Sequence, residues 1–250
     1  MKKTVFKVLA TAVALQAAMS LAPSFAAAEQ GVTEQSINSV KQTGSWEDWW
    51  NWGGAHYDRY FKTSDGAYHK GWLYNANKWY YLNSYGAMQK GAVSIEGTTY
   101  NFDSNGALTP TGEGTWIKVD KNHSYYLNSK GETQTGWLTL DGKTYYFDND
   151  GRMQTGWQWQ QSENKKYYFN NDGVMQTGWL ELDGKKYFFN NDGVTQTGWL
   201  ELDGKKYYFN NDGGMQTGWQ QMGNNKYYFN NDGGMQTGWQ QMGNNKYYFN

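Results

Sequence analysis

The tryptophans of this 250-residue chain recur in Gly-Trp pairs, and the last six pairs are separated by steps of close to twenty residues. The pairs contain Trp72, Trp137, Trp157, Trp179, Trp199, Trp219 and Trp239. Aromatic ring faces attract quaternary ammonium ions through cation–π interactions, and they can also stack on the C–H face of a sugar ring. A period of this length indicates one supersecondary unit stacked many times, so any binding function should be multivalent.

Residue types that commonly perform catalysis are scarce in the chain. The three histidines, His56, His69 and His123, lie outside any pattern with Ser or Asp/Glu that would indicate a nucleophile or a metal site. The Asn-Asp-Gly sequences could be calcium loops, but they lack the spacing of calcium-binding solenoids, and turn formation explains them. We therefore expect no enzymatic activity, no metal ion and no cofactor.

The N-terminus has the pattern of a secretory signal peptide over residues 1–28. Lys2 and Lys3 precede an apolar stretch that is too short for a good membrane span, and cleavage would follow Ala26 or Ala28. The alternative is an N-terminal anchor. No second apolar stretch follows, so we expect no membrane span in the exported protein. The formal net charge of −1 excludes a basic surface that binds nucleic acid.

Residues 29–56 form a linker and a Trp-rich segment. The polar stretch 29–44 is typical of a flexible spacer. The next seven residues, 46–52, contain four tryptophans, which form either an N-terminal cap or an exposed binding patch. We favour the cap, because the terminal repeat of an array must cover the open end of the stack. The chain has no cysteine, so its stability should come from the stacking of neighbouring units.

The repeat around Trp179 predicts a β-hairpin, because Asp183-Gly184 is a preferred two-residue turn of type I′. Closing this turn pairs Leu182 with Lys185, Glu181 with Lys186, Leu180 with Tyr187, and Trp179 with Phe188. One face of the hairpin, the expected core face, then contains Leu180, Leu182, Lys185, Tyr187 and Phe189. The other face contains Trp179, Glu181, Lys186 and Phe188, with Glu181 and Lys186 as an opposite-charge pair. Because one such hairpin is marginally stable in water, we predict an all-β solenoid of stacked hairpins over residues 57–250.

The repeated sequence Thr-Gly-Trp, then Tyr-Tyr-Phe/Leu-Asn, then Asp/Ser-x-Gly-x-Met-x-Thr-Gly-Trp resembles the cell-wall-binding, or choline-binding, repeat of Gram-positive surface proteins and phage lysins. It is also similar to the glucan-binding repeats of glucosyltransferases and to the C-terminal repeats of clostridial toxins. This resemblance implies a left-handed solenoid with ligands between successive hairpins. It also implies a choline cage made of the Gly-Trp tryptophan, a second tryptophan before the Tyr-Tyr pair, and a tyrosine of the neighbouring hairpin.

A single repeat contains all the aromatic residues of such a cage. The predicted pairing places Trp72, Tyr74, Trp79 and Tyr81 on one face. Elsewhere the position of Trp79 is taken by Thr144, Lys166, Lys186, Lys206, Lys226 and Lys246. A lysine ammonium would repel choline and would itself occupy the ring face.

In the later repeats, two aromatic side chains per hairpin remain as candidate ligand-binding residues. These pairs are Trp137 with Tyr146, Trp157 with Tyr168, Trp179 with Phe188, Trp199 with Tyr208, and Trp219 with Tyr228. Flat rings beside hydrogen-bonding side chains favour a sugar over choline at these sites. Alternatively, the rings pack hairpin on hairpin without any ligand.

These observations predict a secreted, non-catalytic protein that binds cell-wall polymer or carbohydrate and is associated with the cell wall or surface. The expected partner is a wall polymer, either choline-bearing teichoic acid or glycan, or an α-glucan. One alternative is the targeting module, as a fragment, of a toxin or of a wall hydrolase such as an N-acetylmuramoyl-L-alanine amidase. A structural array without a ligand is the other alternative.

Overall fold

The computed structural model describes residues 40–54 and 56–249, so the predicted signal peptide lies outside the described residues. The described part is all β. Its strands are β1 (Gly44–Asn51), β2 (His56–Thr63), β3 (Gly71–Asn75), β4 (Lys78–Leu82), β5 (Gly91–Ile95), β6 (Thr98–Phe102), β7 (Leu108–Thr109), β8 (Gly114–Lys118), β9 (Ser124–Asn128), β10 (Gly136–Leu140), β11 (Lys143–Phe147), β12 (Gly156–Gln160), β13 (Lys165–Phe169), β14 (Gly178–Leu182), β15 (Lys185–Phe189), β16 (Gly198–Leu202), β17 (Lys205–Phe209), β18 (Gly218–Met222), β19 (Asn225–Phe229), β20 (Gly238–Met242) and β21 (Asn245–Phe249). Within residues 40–54 and 56–249, no helix has the length and apolarity needed to cross a membrane.

Successive strands pair as antiparallel hairpins, and β7 adds a third strand to the β5–β6 sheet. In β14–β15, Trp179 lies opposite Phe188 and Leu182 lies opposite Lys185, which confirms the predicted register. The turn residues Asp183 and Gly184 have φ angles of 50° and 72°. Positive φ at both central positions is the conformation of a type I′ turn, so the predicted turn type is confirmed as well.

The Asn-Asn-Asp-Gly segment after each later hairpin forms a side-chain-stabilised turn. The Asn190 Oδ1 atom accepts hydrogen bonds from the backbone N–H groups of Asp192 at 3.0 Å and Val194 at 2.8 Å. The N–H of Gly193 donates to the Asn190 carbonyl oxygen at 2.9 Å. These contacts confirm the turn role expected for such residues. Among residues 40–54 and 56–249, no three His, Cys, Asp or Glu side chains converge as a metal site.

Neighbouring repeats are joined by backbone hydrogen bonds and by close packing of their linkers. The N–H of Met215 donates to the carbonyl oxygen of Lys186, one hairpin earlier, at 2.8 Å. The linkers of neighbouring repeats also pack closely. The Met175 sulfur occupies the space that a Cβ atom on Gly193 would need. A side chain at Gly193 would require the flexible Met175 side chain to move, and the φ angle of 77° at this position also favours glycine.

The chain divides into two compact units, Met1–Gln134 and Thr135–Asn250, called here the N-terminal and C-terminal units. The described part of the N-terminal unit contains β1 to β9, and its main core cluster includes Trp72, Trp79, Tyr100 and Tyr125. The C-terminal unit contains β10 to β21, and each of its first five hairpins has one fully buried phenylalanine. These residues are Phe147, Phe169, Phe189, Phe209 and Phe229.

The first hairpin, β1–β2, divides its tryptophans between the core and the surface. The Trp46 ring centroid lies 5.2 Å from that of Phe61 and 4.9 Å from that of Tyr80. The indole N–H of Trp46 donates to the Asn75 Oδ1 atom at 3.2 Å, so this residue covers the repeat that follows. Trp52, in contrast, is 81% exposed. The cap interpretation therefore describes Trp46, whereas Trp52 has the exposure of a surface patch.

The range predicted for the flexible spacer, residues 29–44, extends too far at its C-terminal end. Val40 is only 7% exposed and belongs to the main core cluster. Its carbonyl oxygen accepts a hydrogen bond from the N–H of Tyr74 at 2.6 Å, and Lys41 forms a parallel bridge with the same residue. The spacer prediction is wrong for residues 40–44, because an apolar side chain and an open strand edge together order this segment.

Candidate aromatic binding sites

Each of the first five Gly-Trp tryptophans in the C-terminal unit is the centre of a cluster formed by two successive hairpins. Trp179 lies 5.1 Å from Phe188 of its own hairpin and 5.1 Å from Tyr207 of the next, measured between ring centroids. Phe209 closes the base of this cluster at 5.9 Å. The same arrangement recurs around Trp137 (with Tyr146, Tyr167 and Phe169), Trp157 (with Tyr168, Tyr187 and Phe189), Trp199 (with Tyr208, Tyr227 and Phe229) and Trp219 (with Tyr228, Tyr247 and Phe249).

The structure thus brings each predicted aromatic pair together, but the prediction omitted the tyrosine of the next hairpin. These omitted residues are Tyr167, Tyr187, Tyr207, Tyr227 and Tyr247. Sequence reasoning assigned Tyr187 to the core face, because it treated each hairpin separately. That face packs on the tryptophan of the preceding hairpin, as the Trp157–Tyr187 distance of 5.0 Å shows. The available signal was the family resemblance, which implied a tyrosine contributed by the neighbouring hairpin.

The tryptophans of these clusters keep part of their surface in solvent. Trp179 is 42% exposed, although Phe209 beneath it is fully buried. Trp137, Trp199 and Trp219 are exposed to a similar degree. Burial raises the pKa of Tyr167, which therefore stays a neutral phenol and a possible hydrogen-bond donor at physiological pH. The Trp137, Trp179 and Trp199 clusters thus combine a buried phenylalanine base with an exposed tryptophan.

A cavity of about 310 Å³ opens beside Trp179. Its walls are formed by Trp179, Leu180, Glu181, Lys186, Tyr207 and Asp232. This volume is at the lower end of the range of about 300–1,000 Å³ that is typical of small-molecule sites. The walls combine two aromatic rings with two carboxylates and one ammonium group. Such a surface can stack on an apolar face and hydrogen-bond to polar groups around it.

The lysines at the position of Trp79 take two different places. The Lys166 ammonium lies over the Trp157 ring, 4.1 Å from its centroid, and donates a hydrogen bond to the Asp212 carbonyl oxygen at 3.3 Å. Lys226 over Trp219 and Lys246 over Trp239 make similar contacts at 5.0 Å and 4.9 Å. For these three lysines, the prediction that the ammonium occupies the ring face is confirmed.

Lys186 and Lys206 depart from that prediction. Among the described residues, neither ammonium lies over an aromatic ring, so the prediction is wrong for these two repeats. The register places Lys186 opposite Glu181 and Lys206 opposite Glu201, as expected. However, neither facing pair closes into a direct ion pair in the part of the chain that the structure describes, and the expected Glu181–Lys186 contact is thus absent. An ammonium that both ring and carboxylate attract weakly can remain in water.

The four residues of the predicted complete cage, Trp72, Tyr74, Trp79 and Tyr81, do come together in the N-terminal unit. The Trp72 centroid lies 6.2 Å from Trp79 and 5.2 Å from Tyr81, and Tyr74 lies 5.2 Å from Trp79. Trp72 and Trp79 are nevertheless only 5% and 1% exposed. In this conformation the four rings belong to the core, and their ligand-binding role stays a prediction.

Two family models match the chain, and together they cover both units. A model described as a choline-binding repeat matches residues 134–175, 158–193, 177–216 and 216–250, and a model of a cell wall binding repeat matches residues 70–88 and 114–132. The chain belongs to the choline-binding repeat family. As a family member, it is an all-β protein of stacked hairpins of about twenty residues, with aromatic clusters between the hairpins.

Solved structures of other repeat proteins resemble this choline-binding repeat protein. Choline binding protein F from Streptococcus pneumoniae is 27% identical over 82% of this chain and 84% of its own, with a TM-score of 0.50. The choline-binding domain of CbpL from the same organism is 26% identical over 67% of this chain and 87% of its own, with a TM-score of 0.42. The modular autolysin LytC is 22% identical over 81% and 51%, with a TM-score of 0.33. Among curated proteins, no match was found.

Proposed function

We propose that the protein is secreted and attaches non-catalytically to a cell-wall polymer through the aromatic clusters of its C-terminal unit. The main supporting observation is the recurrence of one cluster, in which a solvent-exposed tryptophan meets three further rings from two hairpins. Membership of a family with cell-wall-binding repeats supports attachment to the wall or surface. Because the clusters repeat along one chain, several can engage one polymer at once.

For the C-terminal unit we propose a glycan as the ligand. At Trp179, the ring is surrounded by the carboxylates of Glu181 and Asp232 and the ammonium of Lys186. A sugar ring offers an apolar face to the indole and hydroxyl groups to these charged side chains. At Trp157, the Lys166 ammonium 4.1 Å from the ring centroid would compete directly with a quaternary ammonium ligand.

Choline-bearing teichoic acid is the second candidate ligand, and two observations favour it. The chain resembles choline binding protein F, with a TM-score of 0.50. In addition, the carboxylates of Glu181 and Asp232 beside the Trp179 ring would also attract a cation. An α-glucan is the third possible polymer, because its sugar rings offer the same stacking face as a wall glycan.

Weak individual sites are sufficient for stable attachment if several act together. Two or three linked sites on one polymer can raise the overall affinity by about 10²–10⁴-fold over one site. The clusters around Trp137, Trp157, Trp179, Trp199 and Trp219 lie on successive hairpins of one unit. We therefore expect binding to a polymeric wall to be far stronger than binding to its isolated monomers.

Sedimentation of the full chain with purified cell walls and with insoluble α-glucan, each with and without choline chloride, tests this function. We expect sedimentation with walls that choline does not reverse. The combined change Trp179→Ala, Trp199→Ala and Trp219→Ala should abolish most of it. The matched control is Trp50→Ala, Trp52→Ala and Tyr57→Ala, which also removes three exposed rings.

The possible results separate the ligands. Release by choline would identify choline-bearing teichoic acid, and sedimentation with α-glucan alone would identify that polymer. If neither polymer retains the chain, or if the triple tryptophan variant binds as well as the wild type while keeping its near-UV circular dichroism spectrum, the proposed function is wrong. Secretion is tested separately, because N-terminal sequencing of the exported protein should show cleavage after Ala26 or Ala28.

A further inference from the structure

The position of the lysine in each C-terminal repeat correlates with the residue that faces it across the hairpin. Where the lysine lies over its tryptophan, the facing residue is uncharged: Trp159 opposite Lys166, Gln221 opposite Lys226 and Gln241 opposite Lys246. Where the lysine lies away from the ring, the facing residue is a glutamate: Glu181 opposite Lys186 and Glu201 opposite Lys206. The facing residue always follows the tryptophan by two positions.

The uncharged partners leave the ring as the best nearby site for the ammonium. The Gln221 amide donates to the Gly223 carbonyl oxygen at 2.8 Å, and Gln241 makes the same bond to Gly243. These side chains thus turn toward their own hairpin turns and present no charge to the lysine. A ring face then provides the strongest local attraction for an ammonium group.

A glutamate at the same position changes this balance. Directly opposed residues on an antiparallel pair have Cβ atoms about 5 Å apart, so the carboxylate attracts the ammonium from the side of the ring. At exposed sites, the attraction of an ammonium to a carboxylate is comparable with its attraction to a ring. One facing carboxylate therefore offsets the attraction of the ring, and the lysine side chain stays exposed without a direct ion pair among the described residues. The cavity at Trp179 is lined by both Glu181 and Lys186, and no lysine ammonium among the described residues lies over its tryptophan.

We propose that the residue two positions after the Gly-Trp tryptophan determines whether a repeat is open to ligand. Glutamate keeps the lysine away from the ring and leaves the sites at Trp179 and Trp199 open. Glutamine or tryptophan lets the lysine occupy a ring face at Trp157 and Trp219, where the ammonium competes with a ligand for the ring. This inference rests on the proposed function and specifies which of its sites bind.

Lysine side-chain NMR tests the structural part of the inference without any ligand. In the full chain labelled with ¹³C-lysine, methylene protons above an indole face should shift upfield by the ring current. We expect upfield shifts for Lys226 and not for Lys186, assigned with Lys→Arg variants. Glu181→Gln should move the Lys186 signals upfield, and Gln221→Glu should move those of Lys226 back. Signals that do not respond to either substitution would overturn the inference.

Wall binding tests the functional part. The double variant Glu181→Gln and Glu201→Gln should weaken apparent binding about two- to fivefold per site engaged, the factor expected for displacing one exposed cation–π contact. Gln221→Glu should strengthen binding by a similar factor. The control for the loss of one carboxylate is Glu163→Gln, compared with Glu181→Gln alone, because Glu163 pairs with Lys165 rather than facing a tryptophan site.

The outcomes of the two tests separate this inference from the proposed function. If the wild-type chain does not bind walls, the proposed function fails, while the NMR result still decides whether the glutamate sets the lysine position. If the wild type binds and the lysine signals move as expected, but the glutamate variants bind like the Glu163→Gln control, the inference about open and closed sites is wrong.

Discussion

The repeat at Trp72 in the N-terminal unit and the repeat at Trp179 in the C-terminal unit have the same hairpin register, but they differ in the exposure of the tryptophan. Trp72 lies opposite Tyr81, and Trp179 lies opposite Phe188 in the equivalent pair. Yet Trp72 is 5% exposed, whereas Trp179 is 42% exposed. Among the positions at which the two hairpins differ, one cross-strand position holds Trp79 in the first and Lys186 in the second.

Trp79 helps to close the aromatic cluster around Trp72. The Trp79 ring is 4.7 Å from Tyr125, and its indole N–H donates to the Thr133 hydroxyl at 2.9 Å, so later repeats of the N-terminal unit cover it. A lysine at this position cannot be covered in the same way, because burying an unpaired ammonium is very costly. An aromatic-rich repeat is therefore core or binding surface according to its neighbours, and the number of rings alone does not predict a site.

Removing the ring of Trp79 should give the largest difference between the two repeats. Trp79→Ala leaves a cavity in a closed core, and such changes cost about 3–5 kcal/mol of unfolding free energy. Trp179→Ala should cost less than half as much, because much of that ring is already in water. Denaturant unfolding followed by near-UV circular dichroism measures both losses. Equal losses would show that the two clusters do not differ in closure.

The first hairpin allows the same comparison within seven residues. Trp46→Ala removes contacts with Phe61 and Tyr80 and a hydrogen bond to Asn75, so we expect a loss of about 2–4 kcal/mol. Trp52→Ala should change stability by less than about 0.5 kcal/mol, because this side chain is almost fully exposed. Thermal midpoints of the two variants measure the difference. A loss for Trp52→Ala as large as that for Trp46→Ala would contradict the assignment of the cap to Trp46.

The hairpin register and the turns were predictable because they depend on neighbouring residues. Asp183-Gly184 selects a two-residue turn, and the register of β14–β15 follows from it. The pairing of Trp179 with Phe188 is a direct consequence. The twenty-residue period similarly indicates stacked units.

The closure of the Trp72 cluster was not predictable in this way, because the residues that cover it are distant in sequence. Trp79 is separated from its hydrogen-bond partner Thr133 by 54 positions. The placement of Lys186 away from its ring also escaped prediction. It depends on two attractions of comparable and small size, and a sequence pattern does not show which of them is stronger.

Acidification should give the smallest of the expected differences in stability between the two units. All three histidines lie in the N-terminal unit, and His69 is 8% exposed, with its Nε2 atom donating to the Trp72 carbonyl oxygen at 2.9 Å. Burial lowers the pKa of His69, so below the ordinary value of 6.5 the unfolded chain binds a proton that the folded chain resists. The N-terminal unit should therefore lose stability as the pH falls below about 6.5, by at most about 1.4 kcal/mol per pH unit for one proton.

The His69→Gln variant isolates this contribution, because glutamine can still donate to the Trp72 carbonyl oxygen but does not titrate. Hydrogen exchange of backbone amides at pH 7 and pH 5, corrected for intrinsic rates, reports the two units separately. The wild type should lose protection in β3 and β4 on acidification more than the variant does. Protection in β14 to β17 should change equally in both proteins, because that unit contains no histidine. An identical loss in β3 and β4 with and without His69 would assign the acid sensitivity to carboxylates, which both units contain.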